Sequence, residues 1–165
     1  MAEANRVAVV NASPLIFLAR AGLIDLLQTT ATRVVVPEAV ANEIRQRGPS
    51  DPTVRVLDQT GWLEAVAVPS VPVEIVAWDL GPGESAVLAW ARMNPGSEAI
   101  IDDLLGRKCA ATLDVPLRGT LGLVLLARQR GLIPAARPVL ERLRASGMYL
   151  GDAVLQEALR RVGER

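Results

Sequence analysis

Short β-branched and apolar runs alternate with longer segments of helical pattern along the chain. The runs at 6–10 and 33–36 have the composition of buried strands, and shorter runs at 99–101 and 115–117 predict two more. Residues 62–68 alternate weakly, which predicts a further strand at an edge of the sheet. Because strands and helices alternate, the sequence predicts an α/β fold with a mainly parallel sheet and helices on both faces.

Local signals predict where the helices begin. Ser13 and Pro14 predict a helix start with a hydroxyl cap and a proline at the first helical position. Residues 81–83 predict a tight loop, after which a helix begins at Glu84, whose carboxylate suits the positive end of the helix dipole. Other helices are predicted at about 23–28, 37–47, 51–59, 104–113, 119–130, 135–145 and 152–162.

The length and composition fit one domain. The chain has 165 residues, 50% of them hydrophobic and 22% charged, which excludes a disordered protein. No repeat or linker divides it, so residues 1–165 are predicted to form a single domain, with the last two helices (about 135–162) packed on the core or in a dimer interface. The N-terminus lacks a signal-peptide pattern and no apolar run has the length of a membrane span, so we expect a cytoplasmic protein without a membrane partner.

The residue inventory restricts the chemistry. Histidine is absent, which excludes Ser-His-Asp triads, Cys-His pairs and histidine-ligated zinc or iron. The single cysteine, Cys109, excludes an internal disulfide and a cysteine metal cluster. An enzyme of this composition would use carboxylates, a hard metal ion, the single lysine Lys108 or a bound cofactor.

Charge is unevenly distributed although its total is zero. Residues 1–103 contain 13 acidic and 7 basic residues, whereas residues 104–165 contain 5 acidic and 11 basic residues. This asymmetry fits an acidic site beside a basic surface, and it equally fits arginines on solvated helix faces.

Polar side chains occur where the predicted strands end and where the neighbouring helices lie. These side chains are Asn11, Glu43, Glu84, Asp102 and Asp103. In open α/β sheets, sites form beyond the carboxyl ends of the strands, so we expect the five to converge there. Adjacent carboxylates repel by about 4 kcal/mol per pair at an effective dielectric near 20. A Mg²⁺ or Mn²⁺ ion reverses this repulsion and also activates water and clamps phosphate oxygens, which is nuclease chemistry.

Each of these residues also has a purely structural interpretation. Asn11 fits an ordinary turn residue, Glu43 fits a solvated helix face, and Glu84 fits a carboxylate that serves the helix dipole. One of Asp102 and Asp103 is expected to cap the helix that follows them. The pattern alone leaves both interpretations open.

Five segments in order resemble the motifs of PIN-domain proteins. They are VVNASPLIFLA at 9–19, VPEAVANEI at 36–44, LGPGESA at 80–86, IDDLLGR at 101–107 and GTLG at 119–122. The resemblance extends over about residues 6–155. Within the family, the chain is most similar to a small prokaryotic branch of predicted nucleic-acid-binding proteins related to VapC-type toxins.

The resemblance implies a Mg²⁺- or Mn²⁺-dependent endoribonuclease, a hydrolase that cuts single-stranded RNA, on a three-layer α/β/α sandwich. The metal ligands that it implies are Asn11, Glu43, Glu84 and Asp102. The catalytic acids that it implies are Glu43, Glu84, Asp102 and Asp103. Ser13, Arg107 and Thr120 match positions beside the site and are expected to contact the substrate. Arg107 could equally pair with one of the acids. The resemblance further implies a toxin of a toxin–antitoxin pair, an antitoxin protein as partner, and a homodimer.

Asn11 departs from the family pattern, because this position usually carries an aspartate. An asparagine keeps one carbonyl oxygen but removes one negative charge, which weakens the attraction for a metal ion. The alternative function is therefore a catalytically weak or inactive PIN-like module that binds nucleic acid or protein. Phosphotransfer on a similar sheet is a third class, and the sequence lacks the glycine-rich phosphate loop that it would need.

Overall fold

The computed structural model describes residues 6–165, and its centre is a five-stranded parallel sheet. The strands are β1 (Val7–Val10), β2 (Arg33–Pro37), β3 (Leu63–Val66), β4 (Glu98–Ile100) and β5 (Leu117–Arg118). Their order across the sheet is β3-β2-β1-β4-β5, and every neighbouring pair is parallel. The predicted parallel sheet and the predicted edge position of β3 are confirmed. The predictions for the N-terminus concern residues 1–5, which lie outside the described residues.

Helices flank the sheet and complete the predicted α/β/α sandwich. They are α1 (Ala12–Ala21), a 3₁₀ helix (Ile24–Thr29), α2 (Glu38–Arg45), α3 (Pro52–Gln59), α4 (Val73–Val76), α5 (Pro82–Met93), α6 (Leu104–Thr112), α7 (Thr120–Gln129), α8 (Ala136–Ala145) and α9 (Asp152–Arg161). Among the helices of residues 6–165, none combines the length and hydropathy needed to cross a membrane.

The core lies on both faces of the central strands. Val9, Val35 and Ile100 have no exposed surface, which is expected for strands that helices cover on both sides. Helix α5 packs across β1, β2 and β4, and its Val87 and Leu88 are fully buried. Burial of one such side chain contributes about 2 kcal/mol, so this packing holds α5 firmly against the sheet.

Strand β1 is the topological switch point of the sheet. It pairs with β2 on one side and with β4 on the other, so the connections from β1 and from β4 lead away in opposite directions across the sheet. A crevice forms at such a switch point, beyond the carboxyl ends of the two diverging strands. Asn11 directly follows β1, and its backbone N–H donates to the carbonyl of Ile100 at 3.0 Å. The residues that follow β1 and β4 are therefore held side by side.

Helix α1 begins earlier than Ser13 and Pro14 predict. Asn11 is the N-cap residue, with φ −80° and ψ 168°, and no side chain caps the helix, so the predicted hydroxyl cap of Ser13 is wrong. The hydrogen bond to β4 keeps Asn11 in extended geometry, and helical geometry starts at the next residue. Pro14 is tolerated in the first turn because backbone N–H groups there have no intrahelical partner.

Helix α5 also begins early, at Pro82 instead of Glu84, so residues 82 and 83 are not the predicted loop. Proline at the first helical position follows the usual preference, and Gly83 is tolerated because the helix is held by buried neighbours. Strand β4 is displaced by one residue from its predicted range, whereas β5 begins two residues and ends one residue later than predicted. Helix α4 was not predicted, and the segment predicted as a helix at 23–28 is a 3₁₀ helix.

The two C-terminal helices pack beside the sheet. Helix α8 contacts α1 and α7, α9 contacts α7 and α8, and Leu140 and Leu143 are fully buried. The guanidinium of Arg142 donates to the carbonyl of Ala21 at the end of α1. The carboxylate of Glu164 accepts the backbone N–H groups that begin α8. The dimer interface stays a prediction.

Candidate active site

All five predicted acid and amide residues lie at the switch-point edge of the sheet. Asn11 follows β1 and Asp102 and Asp103 follow β4, while Glu43 lies in the last turn of α2 and Glu84 in the first turn of α5. Helices α2 and α5 pack against each other, which brings their two carboxylates to the same edge. Three glycines show how closely these side chains approach the backbone.

Gly83 lies beneath Asn11 and Glu43. A methyl group on Gly83 would be 2.9 Å from Oε2 of Glu43 and 3.5 Å from Oδ1 of Asn11. A Cβ at 2.9 Å would require the Glu43 carboxylate to shift, so glycine permits this approach without displacing it. Asn11 is buried and Glu43 is exposed, so the amide lies beneath the open carboxylate.

Gly106 lies beneath Glu84 and Asp103. A methyl group there would be 3.1 Å from Oε2 of Glu84 and 3.8 Å from Oδ2 of Asp103. Asp103 is the N-cap of α6, and its Oδ2 accepts the backbone N–H of Gly106 at 3.0 Å. The sequence expectation that one of the two adjacent aspartates caps this helix is confirmed, and the capping residue is Asp103.

Crowding of carboxylates changes the acidity of Glu84. The pKa of Glu84 is raised to about 7, first by burial and then by the charge of Asp103, a hydrogen bond with Asp103 and the charge of Glu43. A like charge disfavours ionisation because the two carboxylates repel in a partly desolvated site. The Asn11–Glu43 group and the Glu84–Asp103 group therefore form one acidic centre.

Asp102 is held by Thr120. The backbone N–H of Thr120 donates to Oδ1 of Asp102 at 2.7 Å, and its hydroxyl donates to Oδ2 at 2.6 Å. Thr120 is fully buried, so the structure places its hydroxyl on Asp102 and not on the open surface where substrate contact was expected. These two hydrogen bonds fix the orientation of the Asp102 carboxylate.

Arg107 and Ser13 lie beside Asp102 and Asp103 in one cleft. A methyl group on Gly119 would be 3.0 Å from Oδ1 of Asp102 and 3.6 Å from Nη1 of Arg107. The structure shows no ion pair for Arg107 with any acid of residues 6–165. Its guanidinium is exposed and faces the same opening as the carboxylates, as a phosphate contact would require.

The donor set suits a hard divalent cation. Within residues 6–165, no three His, Cys, Asp or Glu side chains are placed to ligate a single ion. Mg²⁺, however, keeps several waters in proteins and is commonly bound through one or two carboxylates. Two oxygen-donor groups, over Gly83 and over Gly106, meet that requirement at the same edge.

Sequence reasoning missed the part played by Gly83 and Gly106. The signal that points to them is their spacing, since Gly83 directly precedes Glu84 and Gly106 is three residues after Asp103. It also did not single out Tyr149, which lines the cleft that contains Asp102 and Asp103.

A family model described as DUF3368: PIN domain matches residues 7–164, nearly the whole chain. No curated protein matches the sequence at a significant level.

Proposed function

Because the chain belongs to the PIN-domain family, whose fold is of nuclease type, we propose that it is a divalent-metal-dependent endoribonuclease that hydrolyses phosphodiester bonds of single-stranded RNA. The observation that carries the proposal is the acidic centre at the switch point. There, burial and the charges of Asp103 and Glu43 raise the pKa of Glu84 to about 7. Carboxylates arranged against one another in this way are typical of a functional site.

The residues proposed to hold Mg²⁺ or Mn²⁺ are Asn11, Glu43, Glu84, Asp102 and Asp103. When bound, the ion supplies charge that neutralises these carboxylates and a lowered pKa for a coordinated water. Because a ligand must be deprotonated to bind a metal, Glu84 must lose the proton that its raised pKa retains near neutral pH.

The remaining residues orient the acids and the substrate. Thr120 holds Asp102 through two hydrogen bonds, which limits how far this carboxylate turns. Arg107 presents an exposed guanidinium to the same opening, where a phosphate of the RNA backbone can accept two hydrogen bonds from it. Ser13 lies in the same cleft, where its hydroxyl can form a hydrogen bond with the RNA strand.

One observation favours a second candidate function. Asn11 is buried over Gly83 beside Glu43, at the position where the family usually carries an aspartate. The neutral amide leaves the centre with one charge fewer, which lowers its attraction for a cation. The alternative is a PIN-like module that binds RNA or protein and cleaves weakly or not at all.

The test is cleavage of end-labelled single-stranded RNA by the purified protein, with Mn²⁺ and with EDTA. The proposal predicts cleavage only with the metal, loss of cleavage in Asp102→Ala, and unchanged cleavage in Glu38→Ala. Glu38 is a matched control because it is an exposed acid on the same helix as Glu43.

The Asn11→Asp variant separates the two candidate functions. If only this variant cleaves, the site exists but asparagine silences it, and the binding module is the better description. If neither protein cleaves, the nuclease proposal is contradicted for that RNA. The toxin role, the antitoxin partner and the homodimer stay predictions.

A further inference from the structure

A cleft of about 650 Å³ leads away from Asp102 and Asp103. It continues over the outer face of α7, past Leu121 and Leu125, to Val154 at the start of α9. A second hollow of about 300 Å³ between α7 and α9 shares these side chains and extends the cleft. The acidic centre is therefore one end of a longer trough.

The only tyrosine of the chain lies in this cleft. The side chain of Tyr149 is 92% exposed, although its neighbours Met148 and Leu150 are buried. The guanidinium of Arg144 also donates to the carbonyl of Leu150 at 3.2 Å. The backbone on both sides of Tyr149 is thus anchored while its ring faces solvent. The ring exposes apolar surface to water and contributes nothing to the core.

Three arginines line the cleft. Arg118 is paired with Glu98 at 3.2 Å, whereas Arg161 is 3.7 Å from Glu157 and its side chain is 69% exposed. Arg107 has no ion pair with the acids of residues 6–165, as described above. Glu157 also lines the second hollow, so the positive charge that can face a phosphate backbone comes mainly from Arg107 and from the exposed guanidinium of Arg161.

We propose that this trough binds the RNA strand on one side of the cleaved bond, with a base stacked on Tyr149 and backbone phosphates facing Arg107 and Arg161. The inference rests on the proposed function, because it names the path of that substrate. An exposed ring beside arginines, continuous with the acidic centre, suits a single strand, since every base has a face that stacks. The charge of the arginines favours RNA over a second copy of the chain or an apolar peptide.

The experiment measures binding without catalysis. A fluorescein-labelled single-stranded RNA of about ten nucleotides is titrated with the protein in EDTA, and the Kd follows from fluorescence anisotropy at several salt concentrations. The variants are Tyr149→Ala, Tyr149→Phe, Arg161→Ala and, as control, Arg160→Ala. Arg160 precedes Arg161 on α9 and also pairs with Glu157, but it does not line the cleft.

Tyr149→Ala is expected to weaken binding about tenfold, the effect of one lost stacking contact, whereas Tyr149→Phe keeps wild-type affinity. Arg161→Ala is expected to reduce the slope of log Kd against log salt by about 0.7, the contribution of one phosphate contact to a single strand. Arg160→Ala should change neither quantity. Equal thermal midpoints of the variants show that each protein is folded.

Wild-type affinity in both Tyr149→Ala and Arg161→Ala overturns the inference, whether or not the wild type cleaves RNA with Mn²⁺. Equal weakening by Arg161→Ala and Arg160→Ala also overturns it, because the charge effect is then not specific to the trough. Loss of a dimer in Tyr149→Ala on size-exclusion chromatography, with RNA binding unchanged, assigns the surface to a second copy instead. Tyr149-dependent binding without cleavage supports the trough and contradicts the nuclease.

Discussion

Glu84 and Glu64 are both glutamates beside the same sheet, yet their pKa values shift in opposite directions. Burial and the carboxylates of Asp103 and Glu43 raise the pKa of Glu84 to about 7. Glu64 on β3 accepts two hydrogen bonds from Arg33 on β2, at 2.6 and 2.8 Å, and these lower its pKa. The Glu84 carboxylate lies among other carboxylates, whereas the Glu64 carboxylate is neutralised by the guanidinium of Arg33.

The difference extends to other acids of the described chain. Away from the switch point, several acidic side chains face arginines, as in the pairs Glu98–Arg118 and Asp152–Arg144. At the switch point, Glu84 faces Asp103 and Glu43 instead. Such repulsion costs folding stability and is typical of sites that bind a cation or carry out a reaction.

The largest effect is expected on catalysis. Glu84→Gln should lower kcat/KM for RNA cleavage by more than about 100-fold, since even outer residues that orient metal ligands cost 10- to 100-fold when lost. Glu64→Gln should leave kcat/KM unchanged, because this residue is remote from the acidic centre. If Glu84→Gln and Glu64→Gln had equal kcat/KM values, Glu84 would have no special part in catalysis.

Addition of Mn²⁺ should stabilise the wild type. A ligand at about 100 times its Kd stabilises the folded state by about 2.7 kcal/mol, which raises the Tm of a chain of this size by about 5–10 °C. In Glu84→Gln the rise should be much smaller, and in Glu64→Gln it should equal that of the wild type. Differential scanning fluorimetry with Mn²⁺ or EDTA measures this, and equal rises in all three proteins would place the ion elsewhere.

Thr120→Val tests whether the orientation of Asp102 matters. The variant keeps the backbone donor to Oδ1 but removes the hydroxyl donor to Oδ2, so Mn²⁺ affinity should fall by about 10- to 100-fold. Thr112→Val is the control, because this exposed hydroxyl bonds only a carbonyl of its own helix. An unchanged affinity in Thr120→Val would show that this hydroxyl does not hold a ligand.

The smallest effect is the dependence of stability on pH without metal. The folded protein holds the Glu84 proton up to about pH 7, whereas the ordinary value of 4.5 applies when it is unfolded. The folded state therefore binds more protons between these values, and stability falls as the pH rises through this window. Because Glu84 is partly exposed, solvent screening limits the effect to about 1 kcal/mol.

Glu84→Gln should therefore have a higher Tm than the wild type at pH 8 in EDTA, by about 2–4 °C, and the same Tm at pH 4. Glu64→Gln should show the opposite sign at pH 8, because it loses the partner of Arg33. Its pKa is lowered, so the stability that Glu64 contributes is lost as the pH falls through the folded pKa. Thermal melts of the wild type and the two variants at both pH values measure these changes. A change in Tm of the same sign in both variants at pH 8 would contradict the opposite pKa shifts of the two glutamates.

Convergence of the site could be predicted from sequence because Asn11 and Asp102 each follow a buried run. Parallel strands end at the same edge, so knowledge of the strands suffices to place these side chains together. The capping role of Asp103 was likewise predictable to within one residue, since a helix start has strong local signals.

Other features depend on tertiary packing and could not be predicted. The start of α5 at Pro82 depends on packing of this helix across three strands, which outweighs the weak helix propensity of Gly83. The hydrogen bond from the buried Thr120 hydroxyl to Asp102 joins residues that are eighteen positions apart in sequence, so it depends on how β4 and α7 pack. The exposure of Tyr149 depends on how the loop between α8 and α9 is anchored.

We propose that the acids at the switch point bind a divalent cation, and the uptake of Mn²⁺ by the protein can be measured without any cleavage reaction. Free Mn²⁺ is followed by electron paramagnetic resonance at pH 8, where Glu84 is ionised, in the wild type and in Asp102→Ala and Glu84→Gln. The wild type should remove about one ion per chain from solution, as a site of one or two carboxylates with water ligands would, and both variants should remove far less. Equal Mn²⁺ uptake by the wild type and the two variants, or none by any of them, would contradict it.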